Sequence, residues 1–536
     1  MPAVGSLAPR LRVTDAKRRW RPGMYHHATS IVPEQDEKSR SGGAGRPVAT
    51  PRESASSPIR PLVLDLDGTL LRTDVLLECI VAVLRRNPLA LFSILLWALQ
   101  GRAVLKQRVA RLANLDLTTL PVDQRVVALA RAAAAAGRPV VLATAATEEL
   151  ARGIAERFPF ISHVIASNAK TNLKGPAKAE ALIKAFPEGF DYAGDSAADL
   201  PVFAAAETVI LVRARHNVVA RAKVLDKPTE ILAKEHSAAA VWARALRLKQ
   251  WSKNALVFAP IPLAGALFAP QAWIAASLAF LGLGLVASAT YLVNDLFDLP
   301  HDRQHWSKRD RPLASGALGI KPALLALPAL MALGFGMAAL AGPGVVLVTA
   351  LYVVVTLAYS LWLKQVPIVD VSMLAGLFTL RLLLGVVAIG AVISPWLFVF
   401  SFALFLSLSS AKRHTELTRA KIHGVSLRGR GYQALDEPLL LGMGLAAVAS
   451  SVLILILYLM AEGFRAGHYT APGFLWCAPV IIFLWQMRIW LLSQRGVLDD
   501  DPVTFAIRDR PSLMLGAALV AAFLAAHLGG ALPWPA

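Results

Sequence analysis

The chain has 536 residues, 56% of them apolar, and a formal net charge of +19. That length exceeds one ordinary domain and that apolar fraction exceeds the globular level, while cysteines at only two positions, Cys79 and Cys477, exclude a disulfide framework or a thiolate metal cluster. Many of the cations flank apolar runs, so anionic lipid and phosphorylated substrates are the expected partners and nucleic acid is not.

Residues 1–60 are rich in Arg, Ser, Gly and Pro and read as a disordered basic tail. Asp15, Glu34, Asp36 and Glu37 weaken an organellar targeting reading, and no secretory-type apolar stretch lies near Met1. Residues 61–235 have the mixture of a soluble domain, 236–253 form a linker or interfacial helix, and 254–536 are dominated by apolar runs.

In the soluble part, "PLVLDLDGTLLRTD" reads as a buried strand ending at a tight turn. Residues i and i+2 of a strand point the same way, so Asp65 and Asp67 can address one phosphate. A second apolar run, "RPVVLAT", ends at Thr144, and "FDYAGDSAADLPVF" supplies Asp195 and Asp199, with Lys170, Lys174 and Lys178 between them. Strands that collect polar residues at their C-terminal ends, with helices between, predict a doubly wound α/β domain with its site at those ends.

The ordered set Asp65 and Asp67, Thr144, Lys178 (with Lys174 as the alternative), then Asp195 and Asp199 resembles the haloacid dehalogenase-like phosphatase superfamily over residues 61 to about 220. The resemblance implies that Asp65 attacks phosphorus to form an aspartyl phosphate, and that Asp67 protonates the leaving group and then activates water. It also implies that Thr144 and Lys178 hold the phosphoryl oxygens and that Asp65, Asp195 and Asp199 bind Mg²⁺. A degenerate copy of the fold with a structural role is the competing reading. Between the first two motifs, "ECIVAVLRRNPLALFSILLWALQ" (78–100) is apolar but interrupted by Arg85, Arg86 and Pro88. Those interruptions disfavour a membrane span and leave two readings open, an amphipathic cap resting on a membrane and a cap helix buried in the soluble domain.

Apolar runs near spanning length occur at about 255–270, 272–292, 322–341, 345–363, 368–390, 395–411, 438–460, 473–493 and 512–531, which predicts an all-α polytopic membrane domain of about nine helices. Arg244, Arg247, Lys249 and Lys253, the 303–311 cluster, Lys364, the Lys412–Arg430 loop, and Arg495, Arg508 and Arg510 then all fall on the side of the soluble domain. The positive-inside rule places that side in the cytoplasm of a cell membrane.

The stretch "NDLFDLPHDRQHWSKRDRPLASG" follows the second run. If helical, it sets Asn294, Asp298, Asp302 and Asp295 at about 0°, 40°, 80° and 100°, one acidic face, which Pro300 bends or restarts. Oxygen ligands at a membrane surface suit Mg²⁺ carrying substrate phosphates, and the nearby Arg309 and Arg311 offer phosphate contacts; a solvated interfacial loop is the plainer reading. Asp370 and Arg381 lie in or beside the fifth run, about 16 Å apart along a continuous helix, so each has either a substrate role or a packing partner on another span. After the sixth run, Lys412 and Glu416 have i,i+4 spacing, which leaves Arg413 to meet phosphate.

"YLVNDLFDLPHDRQHWSKRDRPLASG" resembles the first Asp-rich motif of the UbiA-type membrane prenyltransferase superfamily. "YSLWLKQVPIVDVSMLAGLFTLRLLLG", "KQWSKNALVFAP", "LSSAKRHTEL", "RGRGY" and "LDDDPVTFAIRD" are similar to its decaprenyl-phosphate phosphoribosyltransferase branch, over nearly all of 247–531. The resemblance implies a Mg²⁺-dependent transfer of 5-phosphoribosyl from phosphoribosyl pyrophosphate to a polyprenyl phosphate. Asn294, Asp295, Asp298 and Asp302 would hold the metal, and Lys253, Arg309, Arg311, Lys364, Lys412, Arg413 and, more weakly, Arg381 would contact phosphate. Where the superfamily carries a second Asp-rich motif this chain has the basic "AKRHTELTRAK", in keeping with the phosphoribosyl branch. Prenyl transfer to a small acceptor, a transporter with a regulatory domain, and a nonenzymatic scaffold are the other readings; the sequence sets no oligomeric state.

Overall fold

The computed structural model describes residues 60–167, 172–423, 431–465, 467, 469–498 and 502–529. The expected tail, apart from Arg60, most of "RGRGY" and the acidic run of "LDDDPVTFAIRD" lie outside the described residues.

The soluble half is built on one six-stranded parallel sheet: β1 (Leu62–Leu64), β2 (Val140–Thr147), β3 (Ile161–Ser167), β4 (Asp191–Gly194), β5 (Thr208–Val212) and β6 (Thr229–Leu232), in the order β3-β2-β1-β4-β5-β6. The central strand shows why "LVL" is unbroken hydrophobe. Leu62 and Leu64 join Leu142 in the core on one face, Val63 joins Val141 and Tyr192 on the other, and helices cover both. Between β1 and β2 lies a cap of α1 (Val75–Arg86), α2 (Ala90–Leu99) and α3 (Arg102–Ala113), then α4 (Gln124–Ala135). The remaining soluble helices are α5 (Glu148–Ala155), α6 (Pro176–Ala185), α7 (Leu200–Ala205), α8 (His216–Lys223) and α9 (Ala238–Ala245).

The second half is helical: α10 (Pro260–Leu263), α11 (Pro270–Phe297), α12 (Leu299–Gln304), α13 (Ile320–Ala341), α14 (Pro343–Leu361), α15 (Val369–Ala388), α16 (Pro395–His423), α17 (Glu437–Tyr458), α18 (Cys477–Gln494), α19 (Pro502–Ala506) and α20 (Arg510–Leu528). Among the described residues, eight helices are long and apolar enough to cross a membrane.

The expected first span, 255–270, is not one of the eight. Leu248–Phe258 is a 3₁₀ helix, and the four-residue α10 after it carries Pro260 and Pro262, whose rings cannot sustain α-helical hydrogen bonding. The segment nonetheless runs antiparallel along α11. Arg247 pairs with Asp295 at the C-terminal end of α11, Trp251 Nε1 donates to Ser288 Oγ at 3.1 Å, and Phe258 lies 5.4 Å from Phe280 and 6.0 Å from Trp273. A 3₁₀ helix rises about 2.0 Å per residue, so 11 residues reach roughly 22 Å where an α-helix of that length would reach about 16 Å.

The two halves meet at the cap. Val81 of α1 shares a hydrophobic cluster with Leu292 and Leu296 of α11 and Ile320 and Ala323 of α13. Beside it Glu78 accepts from Arg303 Nη2 at 2.5 Å and Nη1 at 3.2 Å, and from Thr73 Oγ1 at 2.6 Å. Arg213 donates to the carbonyls of Gly68 at 2.8 Å and Gly316 at 3.3 Å, bridging the two halves. Gly316 has φ +69°, and a Cβ there would stand 2.4 Å from the Cβ of Arg72, so glycine is what lets this polar loop close on the soluble domain.

Glu78→Ala leaves Arg303 buried without its carboxylate, a loss of about 3–5 kcal/mol. The expected outcome is faster amide hydrogen exchange across Val75–Arg86 in the full-length protein, with exchange in β4 and β5 unchanged.

Candidate active sites

The first site forms where β1 ends. Asp65 follows Leu64 directly, and its backbone N–H donates to the Ala193 carbonyl of β4 at 2.9 Å, which fixes the turn at the sheet's centre. Gly68 has φ +80°, and a Cβ on it would lie 2.3 Å from Asp195 Oδ2; the glycine of "DGT" makes room for the third acid. Lys178, 3% exposed, reaches from α6 to put Nζ 2.7 Å from Asp65 Oδ1 and 3.5 Å from Asp199 Oδ1. Asp199 is held further by Tyr192 OH at 2.9 Å and by the backbone N–H and hydroxyl of Ser196 at 3.1 and 2.7 Å. Asp67 Oδ1 accepts the N–H of Val75 at 2.8 Å, tying it to the first turn of the cap.

The electrostatics are those of acids crowded out of water. Burial, then the neighbouring Asp199 carboxylate, push Asp65 up to about 6 against the pull of Lys178. Burial and Asp74 push Asp67 up to about 8, and burial with Asp65 and Asp199 pushes Asp195 up to about 8. Burial works against the charge on Lys178, but Asp65 and Asp199 outweigh it and hold the ammonium above its ordinary value. Ligand oxygens of Asp65, Asp195 and Asp199 all lie within 4.8 Å of one another, a donor set that fits Mg²⁺, whose charge would relieve their mutual repulsion.

Of the sequence candidates, Asp65, Asp67, Lys178, Asp195 and Asp199 line one cavity of about 1300 Å³. Lys174 lines it too but is exposed, whereas Lys178 is the lysine on Asp65. Thr144 is buried within β2 and its hydroxyl accepts the N–H of Ala146 at 3.0 Å. Gly316–Pro322, from the membrane half, also line the cavity. Sequence reading missed Tyr192, which bridges Lys178 and Asp199, and Arg213, which holds the Gly68 carbonyl. Tyr192 stands in the quoted "FDYAGD" three residues before Asp195, and that was the available signal; Arg213 had none.

The second site lies at the C-terminal end of α11. The expected acidic face divides in two. Asn294 Nδ2 donates to Asp298 Oδ2 at 3.1 Å, and Lys364 Nζ lies 3.1 and 3.2 Å from the two Asp298 oxygens. Asp295 and Asp302, both buried, are instead bridged by Arg311 at 3.2 and 2.6 Å, with Arg247 also on Asp295. Burial raises Asp302 even so, Arg311 pulling the other way. Asn294 and Asp298 are only half-buried, and as oxygen donors they fit a hard cation. Arg309 is exposed, and Lys253 and Lys412 are half-buried.

Deeper in the bundle the two in-span charges have their own partners. Asp370 accepts from Tyr359 OH at 2.8 Å and from Arg413 Nη2 at 3.1 Å. Arg413, expected to be left for phosphate, is fully buried and pairs with both Asp370 and Glu416, because α16 turns it inward toward α15. Arg381 donates to Asn254 Oδ1 and Tyr352 OH, each at 2.9 Å, and to the Leu377 carbonyl at 2.6 Å.

Residues 256–508 match the UbiA prenyltransferase family, and residues 62–204 match haloacid dehalogenase-like hydrolases. The chain is 39% identical to the "Uncharacterized protein y4nM" of Sinorhizobium fredii over 470 residues, which cover 87% of this chain and 91% of that one. It is 30% identical to the decaprenyl-phosphate phosphoribosyltransferase of Mycobacterium tuberculosis over 288 residues, 52% of this chain and 91% of that one. A solved UbiA homolog from Archaeoglobus fulgidus bound to GPP and Mg²⁺ is 18% identical, covers 53% of this chain and 99% of its own, and superposes with a TM-score of 0.41. The chain therefore belongs to the UbiA prenyltransferase family, as an integral membrane protein that carries a haloacid dehalogenase-like domain ahead of its helical bundle.

Proposed function

We propose that the membrane half transfers a 5-phosphoribosyl group from phosphoribosyl pyrophosphate to a polyprenyl phosphate such as decaprenyl phosphate, and that the soluble half removes the 5-phosphate from the product. The observation that carries the pairing is the 1300 Å³ cavity: Asp65 and Lys178 stand in it, and its wall is the Gly316–Pro322 segment that follows the Asp-rich stretch. The transfer reading is supported by the named mycobacterial relative. Both sites are taken to face the cytoplasm, where the basic loops belong.

In the first step the lipid phosphate is already an anionic nucleophile, so the chain needs no strong base. Asn294 and Asp298 would hold Mg²⁺, which would supply charge for the donor's pyrophosphate, and Lys364, beside Asp298, would contact phosphate oxygens. Arg309, Lys253 and Lys412 supply further phosphate contacts. Asp295, Asp302 and Arg311 form the ion-paired base that holds α12 against α11. The bond from ribose C1 to pyrophosphate breaks as that from C1 to the lipid phosphate forms.

In the second step Asp65 attacks the 5-phosphorus. Asp67, which burial and the Asp74 carboxylate hold above the ordinary carboxylate value, gives its proton to the departing ribose oxygen, then takes one from the water that hydrolyses the aspartyl phosphate. Lys178 and the Thr144 region hold the phosphoryl oxygens. Bound Mg²⁺ supplies charge neutralisation at each site.

With labelled phosphoribosyl pyrophosphate and decaprenyl phosphate, the wild-type protein is expected to give a dephosphorylated lipid-linked ribose. Asp65→Asn should retain the transfer and accumulate the 5-phosphorylated lipid; an unchanged product profile by mass spectrometry overturns the second step. Asp298→Ala should lower transfer itself by roughly 100-fold or more. It should leave hydrolysis of supplied 5-phosphorylated lipid intact; undiminished transfer overturns the first step.

A further inference from the structure

The cap helix α2 departs in composition from the rest of the soluble half. Its ten residues, ALFSILLWAL, include one polar side chain that is not aromatic, Ser93. At about 100° per residue, Leu91, Phe92, Leu95, Leu96 and Leu99 fall within an arc of roughly 140°. All five are exposed, from 46% at Leu91 to 85% at Leu99, and Leu89 extends the stripe at the helix start. The opposite side carries Ile94 and Trp97, which pack into the soluble core. A contiguous apolar stripe of this size marks a contact surface.

Three features say what that surface meets. The preceding helix α1 ends only four residues before α2 begins, and its Val81 packs on Leu292, Leu296 and Ile320 at the ends of the membrane helices α11 and α13. Helix α13, which starts at Ile320 in that cluster, exposes Leu325 at 66% about one and a half turns further on. Exposed arginines precede the stripe, with Arg85 and Arg86 closing α1 just before Leu89. Such arginines suit the polar edge of a bilayer, with stems along apolar surface and charges toward anionic headgroups. A ten-residue helix of about 15 Å is too short to cross the hydrocarbon but long enough to lie along it.

We propose that α2 lies in the boundary between headgroups and acyl chains of the bilayer that holds α11 and α13, an in-plane anchor that seats the cap on the leaflet. The consequence reaches the phosphatase cavity. Helix α2 packs on α3, and α3 contributes Val104, Lys106 and Ala110 to the cavity lining. The anchor thus fixes one wall of that cavity at the lipid surface; that this serves a lipid-borne phosphate ester rests on the function proposed above.

The test does not use activity. Full-length protein carrying Cys477→Ser, with Cys79 buried, is given a single nitroxide through Leu95→Cys, Leu99→Cys or, as the aqueous reference, the exposed Glu188→Cys, in nanodiscs of phosphatidylcholine and phosphatidylglycerol. The expected result is an oxygen-to-nickel-chelate accessibility ratio several-fold higher at 95 and 99 than at 188. Equal ratios at the three positions overturn the proposal, because α2 then faces water. Strong dipolar coupling between labels of neighbouring copies, with low accessibility to both reagents, also overturns it and assigns the stripe to a second copy of the chain.

Discussion

A carboxylate taken out of water is stabilised by positive charge, and such pairs recur through both halves of the described chain. Asp65 and Asp199 meet Lys178, Glu78 meets Arg303, Asp295 and Asp302 meet Arg311, and Asp370 meets Arg413. Each pair costs desolvation to bury, and breaking one side costs more than the pair is worth, so the partners fix the elements that carry them. The pairs also lie in sequence along one path. Asp67 holds the start of α1, Thr73 donates to Glu78, Glu78 holds Arg303, and the neighbour of Arg303 in the chain is Asp302, which Arg311 ties to Asp295.

The polar segment after α11 consequently does several jobs at once. Its start carries Asn294 and Asp298, the pair assigned above to the proposed transfer, its middle supplies the cation that docks the cap, and its end, Gly316 onward, lines the cavity that holds Asp65 and Lys178. Such economy depends on a backbone turn that only glycine makes without strain, at φ +69° against Arg72. It also explains why the soluble half sits against the bundle at its cap rather than hanging from a linker.

What could be read from the sequence was what is local. β1 and "DGT" place Asp65, Asp67 and Gly68 within four residues, and the run "GDSAAD" places Asp195 near Asp199, so strand pattern and turn chemistry were enough to locate these acids and the parallel sheet. The long apolar runs marked the bundle in the same way. What was not legible depends on distant pairing. The single acidic face after α11 assumed that its carboxylates had no other company, yet Arg311 and Arg247 arrive from 16 and 48 residues away to claim Asp295. The Glu78–Arg303 contact joins residues 225 apart, beyond any pattern in one sequence. The expected span at 255–270 rests on hydropathy, which does not register that Leu248–Phe258 winds as a 3₁₀ helix or that Pro260 and Pro262 stop an α-helix from running on.

The same distinction changes the meaning of the basic stretch after the sixth apolar run. As sequence, "AKRHTELTRAK" looks like a block of positive charge where an acidic motif is usual in the superfamily. In the folded bundle Arg413 is paired with Asp370 and Glu416, and His414 is buried against Ser493, so the inner part of that stretch is taken up by contacts within the bundle. A cation that meets a substrate phosphate must be one that is not locked into such a core network. Lys364 meets that condition best: it is only partly buried, it stands on the half-buried Asp298, and its carboxylate contacts are single-residue ones that an arriving phosphate can compete for. Under the proposed transfer the phosphate contact falls to Lys364 beside α11, whereas Arg413 of the basic stretch holds α16 to α15.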